Sequence, residues 1–172
     1  MHKERRIDDG SLKNGNQGQR GVYTLIIEVH VPQKIKIGAL GSLEFKEGYY
    51  AYVGSAMGKG SSSLMRRIGR HLLREKKAFW HIDYLLKLGN RVDVVAVVGS
   101  FAGERKECSV AIALKEQAPQ KALPMRGFGS SDCLGACGGH LFFFPGIKHL
   151  EEALEIVLDS HRKVGLNPIR IL

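Results

Sequence analysis

The sequence has no apolar run near the roughly 20 residues that a bilayer-spanning helix needs, and its basic start leads into no apolar stretch of signal-peptide type. Both features predict a cytoplasmic protein with no membrane partner. Cysteine is scarce: three cannot all pair within one chain, and in a reducing compartment they serve as thiols or metal ligands rather than as a disulfide framework. Acidic charge is in deficit, with 17 Asp and Glu against 26 Lys and Arg, a formal net charge of +9. That surplus favours polyanions through long-range attraction and counterion release, and nucleic acid is the first candidate. No internal repeat stands out, and 172 residues suit one well-cored domain better than two and a linker.

Residues 1–20 carry only Ile7 and Leu12 as sizeable apolar side chains, which predicts a flexible basic tail ahead of a domain over 21–172. From Gly21 the run GVYTLIIEVHV is rich in β-branched residues and stops at Pro32, as a strand does. Ile35 and Ile37 alternate with lysines, and Leu43 and Phe45 with Glu44 and Lys46, which predicts an inserted hairpin. YYAYVGSA then reads as a second main strand, ending in a glycine-serine turn. Helices are predicted over 79–88, stopped by Gly89, over 105–117 and over 150–164, with strands at 92–98 and at LFFF, 141–144. Between them, 118–139 reads as a long loop of the length that often carries function. Hairpins first, then strands interleaved with helices, predict a mixed α/β (α+β) layer on a small, mainly antiparallel sheet flanked by helices.

The turn after YYAYVGSA opens LMRRIGRHL, where Arg67 and His71 are one helical turn apart and Leu64, Ile68 and Leu72 form a separate apolar stripe. Such a helix offers one face to a core and another to phosphates. Arg66, Arg70, Arg74, Lys76 and Lys77 cluster on it and at its end, and together with His81 are the candidate nucleic-acid contacts. Each could also be a solvated charge, and His71 and His81 could be structural, stacked on the sheet or satisfying a carbonyl. Gly54 to Gly60 reads GSAMGKG, near a phosphate-binding P-loop, but Gly60 stands where Ser or Thr is required. Cys133, Cys137 and His140 have spacing that suits zinc, with Cys108 or another histidine as a fourth ligand, or equally a tight unliganded turn.

GVY at Gly21 to Tyr23, YVG at Tyr52 to Gly54, and Arg67 four residues before His71 together resemble the GIY-YIG nuclease superfamily, with Glu107 at the matching position of its metal-binding glutamate. WHIDYL at Trp80 to Leu85, the pair Glu107-Cys108, and GSSDC followed by HLF at His140 to Phe142 resemble its Uri branch. The resemblance implies a GIY-YIG-type sheet and a metal-dependent endonuclease that hydrolyses phosphodiesters, with DNA the expected substrate and Mg²⁺ or Mn²⁺ the expected cofactor. It implies Tyr23, Tyr52, Arg67, His71 and Glu107 as catalytic residues. Tyr23 would position or deprotonate the attacking water, Arg67 would bind the phosphate, and Glu107 would hold the metal. A phenol titrates near 10, so base action by Tyr23 requires a depressed pKa. The rival reading is a module on the same fold that binds DNA or RNA structure-selectively, or an adaptor for repair partners, without cutting.

Overall fold

Alternation along Gly21–Val29, strand β1, sends Val22, Thr24 and Ile26 to one side and Tyr23, Leu25, Ile27 and Val29 to the other. Both sides are buried, which makes β1 a central strand. The computed structural model describes residues 19–172 apart from 118–120, 131–132 and 134–136; the tail expected over 1–20 lies outside the described residues except for Gln19 and Arg20. β1 pairs antiparallel with β4, Gly48–Ala56, on one side and with β5, Val92–Phe101, on the other. Beyond β4 come β7, Leu141–Phe144, and β6, Leu123–Pro124; beyond β5 comes β8, Ile169–Arg170. The open sheet has six strands in the order β6-β7-β4-β1-β5-β8, and the inserted hairpin, β2 (Gln33–Lys36) with β3 (Ser42–Phe45), stands as a separate pair.

Helices cover both faces. On one, α1 (Leu64–Leu72), α2 (His81–Leu86) and the hairpin pack Leu64, Ile68, Ile82, Leu85 and Phe45 against Tyr23, Leu25 and Ile27. On the other, α3 (Glu107–Gln117) and α4 (Leu150–Lys163) bring Val110, Leu114, Leu154 and Val157 onto Val22, Ile26 and Val98. Each fully buried aliphatic side chain contributes about 1.5–3 kcal/mol, which is ample reason for both stripes to turn inward. His161 pins α4 to the sheet, with Nε2 2.9 Å from Thr24 Oγ1 of β1 and Nδ1 2.8 Å from Ser100 Oγ of β5. Burial lowers its pKa to about 4, so the imidazole is neutral in this network. The fold is mixed α+β with a mainly antiparallel sheet, and no helix among the described residues is long and apolar enough to cross a membrane.

Two segments differ from the sequence expectation. The helix expected over 79–88 begins at His81, because the Asp83 carboxylate accepts the N–H groups of Phe79 and Trp80, each at 2.9 Å, and so fixes the helix start there. The long loop is in part ordered against the sheet. β6 pairs with β7, Phe128 is buried between Phe45 and Tyr52, and the His140 N–H donates to the Phe128 carbonyl at 2.7 Å.

Candidate active site

Tyr23 and Tyr52 come together through strand register. Tyr23 lies opposite Gly54 and Leu25 opposite Tyr52, so the two tyrosines project from the same face as diagonal neighbours. Gly54 explains itself: a Cβ there would stand 2.5 Å from both Cζ and the hydroxyl of Tyr23, so the phenol occupies the space that a side chain would take. Gly129 (φ +70°) lies over the other tyrosine, where a Cβ would stand 3.1 Å from the Tyr52 ring in a backbone conformation that favours glycine.

Helix α1 brings up the third group. With Leu64 and Ile68 held in the core, Arg67 points toward the end of β4, donating from Nη1 to the Ser55 carbonyl at 2.7 Å, and its guanidinium lies 4.9 Å from the centre of the Trp80 ring. Glu107 is the first residue of α3 and is 8% exposed. Its Oε1 is 3.6 Å from Arg105, while Oε2 is buried and has no hydrogen-bond partner among the described residues. Tyr23, Tyr52, Arg67 and Glu107 line one cleft of about 390 Å³, together with Trp80, Arg105, Gly129 and His140.

His71 is elsewhere. It is 2% exposed and lies behind Tyr23, whose hydroxyl donates to His71 Nε2 at 2.7 Å. Burial, with Lys76 adding to it, lowers the His71 pKa to about 3 and keeps it neutral. Nδ1 makes no hydrogen bond among the described residues, but its nearest charge is Asp83 Oδ1 at 3.9 Å; that carboxylate favours the ring proton on Nδ1, the tautomer in which Nε2 accepts from Tyr23. The shared face expected for Arg67 and His71 is therefore split, with the arginine in the cleft and the histidine in the core. Tyr23 itself departs from the requirement set by base action. Burial first, and then the neighbouring Tyr52, push its pKa well above the ordinary phenol value despite Arg67, so the phenol is protonated.

The basic helix divides in the same way. Arg66, Arg74 and Lys77 are exposed. Arg70 is not available to phosphate, because it grips Asp83 with Nη1 and Nη2 at 3.0 and 2.9 Å, donates to the Lys77 carbonyl at 3.2 Å, and stacks 4.2 Å from the Trp80 ring centre. The Lys76 side chain is 4% exposed and donates to the carbonyls of His71 and Arg70, capping the end of α1. Burial lowers its pKa to about 8. His81 Nδ1 accepts the Gly129 N–H at 3.1 Å, so it holds the loop and does not line the cleft.

Trp80, Arg105, Gly129 and His140 are among the cleft residues to which the sequence reading gave no catalytic or nucleic-acid role, His140 having stood there as a candidate zinc ligand. Arg105 carried a signal, a cation two positions before the candidate carboxylate at a helix start. Trp80 stood inside WHIDYL without a task. No curated protein and no solved structure matches the chain. A family model described as Domain of unknown function DUF123 matches residues 22–163, and the chain belongs to that family.

Proposed function

We propose that the chain is a GIY-YIG-type endonuclease of the Uri branch, hydrolysing phosphodiester bonds in nucleic acid, DNA first, with Mg²⁺ or Mn²⁺, in the cytoplasm. The observation that carries this reading is the gathering of Tyr23 from β1, Tyr52 from β4, Arg67 from α1 and Glu107 from α3 on one cleft. The expected cation fits the residues present. Glu107 offers a buried carboxylate oxygen with no hydrogen-bond partner, and Mg²⁺ accepts one carboxylate while keeping waters and taking phosphate oxygens from its substrate. When bound, it would relieve charge on the phosphoryl and leaving oxygens.

The chain's own groups divide the remaining work. Because its proton is directed to His71, the Tyr23 oxygen can offer its lone pairs to the cleft and accept a hydrogen bond from the attacking water. With the phenol held protonated by burial, positioning the water is a better account of Tyr23 than deprotonating it. His71 acts through Tyr23 and is a positioning residue. Arg67, braced by Ser55 and Trp80, keeps further N–H donors for a phosphate, and Arg105 brings a second guanidinium to the same rim. Tyr52 contributes its phenol to the wall.

Outside the cleft, Arg66, Arg74 and Lys77 are the exposed cations of the basic helix and its end, Arg74 standing 3.9 Å from Asp93, and they can meet the backbone of a longer substrate. With Arg67 and Arg105 they make three to five phosphate contacts, so log K for duplex DNA should fall against log salt with a slope of roughly −2.7 to −4.5. A gel-shift titration at several salt concentrations, with EDTA present, measures it. An affinity flat in salt would contradict a phosphate-dominated contact. The function itself is tested by exposing branched, single-stranded and duplex substrates to the protein with Mg²⁺, Mn²⁺ or EDTA. Cleavage with either metal and none in EDTA is expected; binding without cutting under all conditions would support the rival binding module.

A further inference from the structure

Cys108 at the start of α3 meets Cys133, Cys137 and His140 of the loop before β7. Their three Sγ atoms and the imidazole nitrogen all lie within 4.8 Å of one another. Cys137 Sγ is 3.4 Å and Cys108 Sγ 3.6 Å from His140 Nε2, while Cys133 Sγ stands 2.6 Å from Cys108 and 3.1 Å from Cys137. Cys137 and His140 are buried and the other two are half-buried. Thiols are weak hydrogen-bonding groups, so mutual bonding gives little reason to gather three of them around one imidazole across a separation of 32 residues. A soft divalent cation gives a strong one.

We propose that Cys108, Cys133, Cys137 and His140 bind one structural Zn²⁺ ion that fastens the start of α3 to the loop forming the opposite wall of the cleft. Tetrahedral ligands at Zn–S and Zn–N lengths stand roughly 3.5–3.8 Å apart, which the two pairs with His140 already meet, and Cys133 has to draw back by about an ångström to join them. The ligand set selects the metal: thiolates and imidazole suit zinc, whereas Mg²⁺ and Mn²⁺ prefer the oxygen donor at Glu107. Four atoms this close suit a single ion and leave no room for an iron–sulfur cluster between them. Four protein ligands also close the coordination shell, which makes the ion structural and not catalytic. On loading, three S–H protons pass to water, three Zn–S bonds and one Zn–N bond form, and no electron changes hands.

The backbone around His140 is held by three hydrogen bonds. The Gly127 N–H donates to the Gly138 carbonyl, the His140 N–H to the Phe128 carbonyl, and the Val53 N–H to the His140 carbonyl, so the loop is anchored to β4 beside the cleft. Glu107 immediately precedes Cys108, and His140 lines the cleft itself. The ion would thus hold two walls of the site at a fixed separation, whatever reaction the cleft performs.

The test uses the whole chain purified without chelator. Elemental analysis should find one zinc per chain, and a mercurial that blocks thiols should release it to a colorimetric chelator in equal amount. Replacing zinc with Co²⁺ should give tetrahedral d–d bands and thiolate-to-cobalt charge transfer. Cys137→Ser should lose most of the zinc, while Glu107→Ala should keep it. Metal-free protein that takes up neither Zn²⁺ nor Co²⁺, a Cys108–Cys133 disulfide in its place, or stoichiometric iron with visible colour would each overturn the proposal. The wild-type measurements stand even where the serine variant does not fold.

Discussion

Replacing Glu107 with alanine is expected to abolish Mg²⁺-dependent cleavage, by roughly a thousandfold or more, while leaving nucleic-acid affinity intact or slightly raised. Among the described residues, Oε2 of this carboxylate is buried with no hydrogen-bond partner and Oε1 meets only the exposed Arg105, so its removal takes away the cation's anchor without breaking a bond that holds the fold. Loss of a cation that offsets several kcal/mol of developing phosphoryl charge accounts for a factor of that size. Binding moves the other way, because a negative group leaves a basic surface. Arg67→Ala should damage both binding and rate, since a guanidinium on the phosphate acts in ground and transition states alike. Gel shifts beside single-turnover cleavage, with circular dichroism to check folding, separate the two cases. A folded Glu107→Ala that cuts at the wild-type rate would leave the carboxylate no role beyond complementing the dipole of α3.

Asp83→Ala is expected to lower stability by about 3–5 kcal/mol, the cost of breaking a buried ion pair from one side. Asp83 is 0% exposed and accepts four hydrogen bonds, two from Arg70 and one each from the backbone of Phe79 and Trp80. Burial pushes its carboxyl up, but Arg70 and the Trp80 and Phe79 N–H groups outweigh it, and the net shift is downward. Without it, the Arg70 guanidinium and the nearly buried Lys76 ammonium, whose Nζ is 3.9 Å from Asp83 Oδ1, are left uncompensated and the start of α2 loses its cap. For a chain of this size the loss corresponds to a fall in Tm of roughly 6–20 °C, read by thermal or denaturant unfolding. Arg66→Ala, on the exposed side of the same helix, should change stability by no more than about 0.5 kcal/mol. Equal effects from the two variants would show that Asp83 is not the centre of this network.

The parts legible in the sequence were those set by local pattern. A run rich in β-branched residues located β1, YYAYVGSA located β4, and antiparallel register then placed Tyr23 opposite Gly54. Helical spacing located α1 and its apolar stripe. What escaped was decided by partners far along the chain. Arg70 reads as a surface cation until Asp83 reaches it from 13 residues on, and for His71 the choice between a site residue and a structural one stays open until Tyr23 meets it from 48 residues before. Periodicity assigns a residue to a side of a helix, but the charge or ring waiting on that side belongs to tertiary structure. The same holds for the loop: the spacing of Cys133, Cys137 and His140 suited zinc, but Cys108 is singled out as the fourth group only when the folded loop meets it.

The central claim is that water, aligned in the cleft of Tyr23, Tyr52, Arg67 and Glu107, attacks a phosphodiester. Its most direct measurement is cleavage in ¹⁸O-labelled water, with products analysed by mass spectrometry. The account predicts Mg²⁺-dependent products in which each newly formed terminal phosphate carries one ¹⁸O, and no products in EDTA. Substrates left intact with Mg²⁺ and Mn²⁺, or products lacking ¹⁸O because a hydroxyl of the substrate itself made the attack, would contradict it.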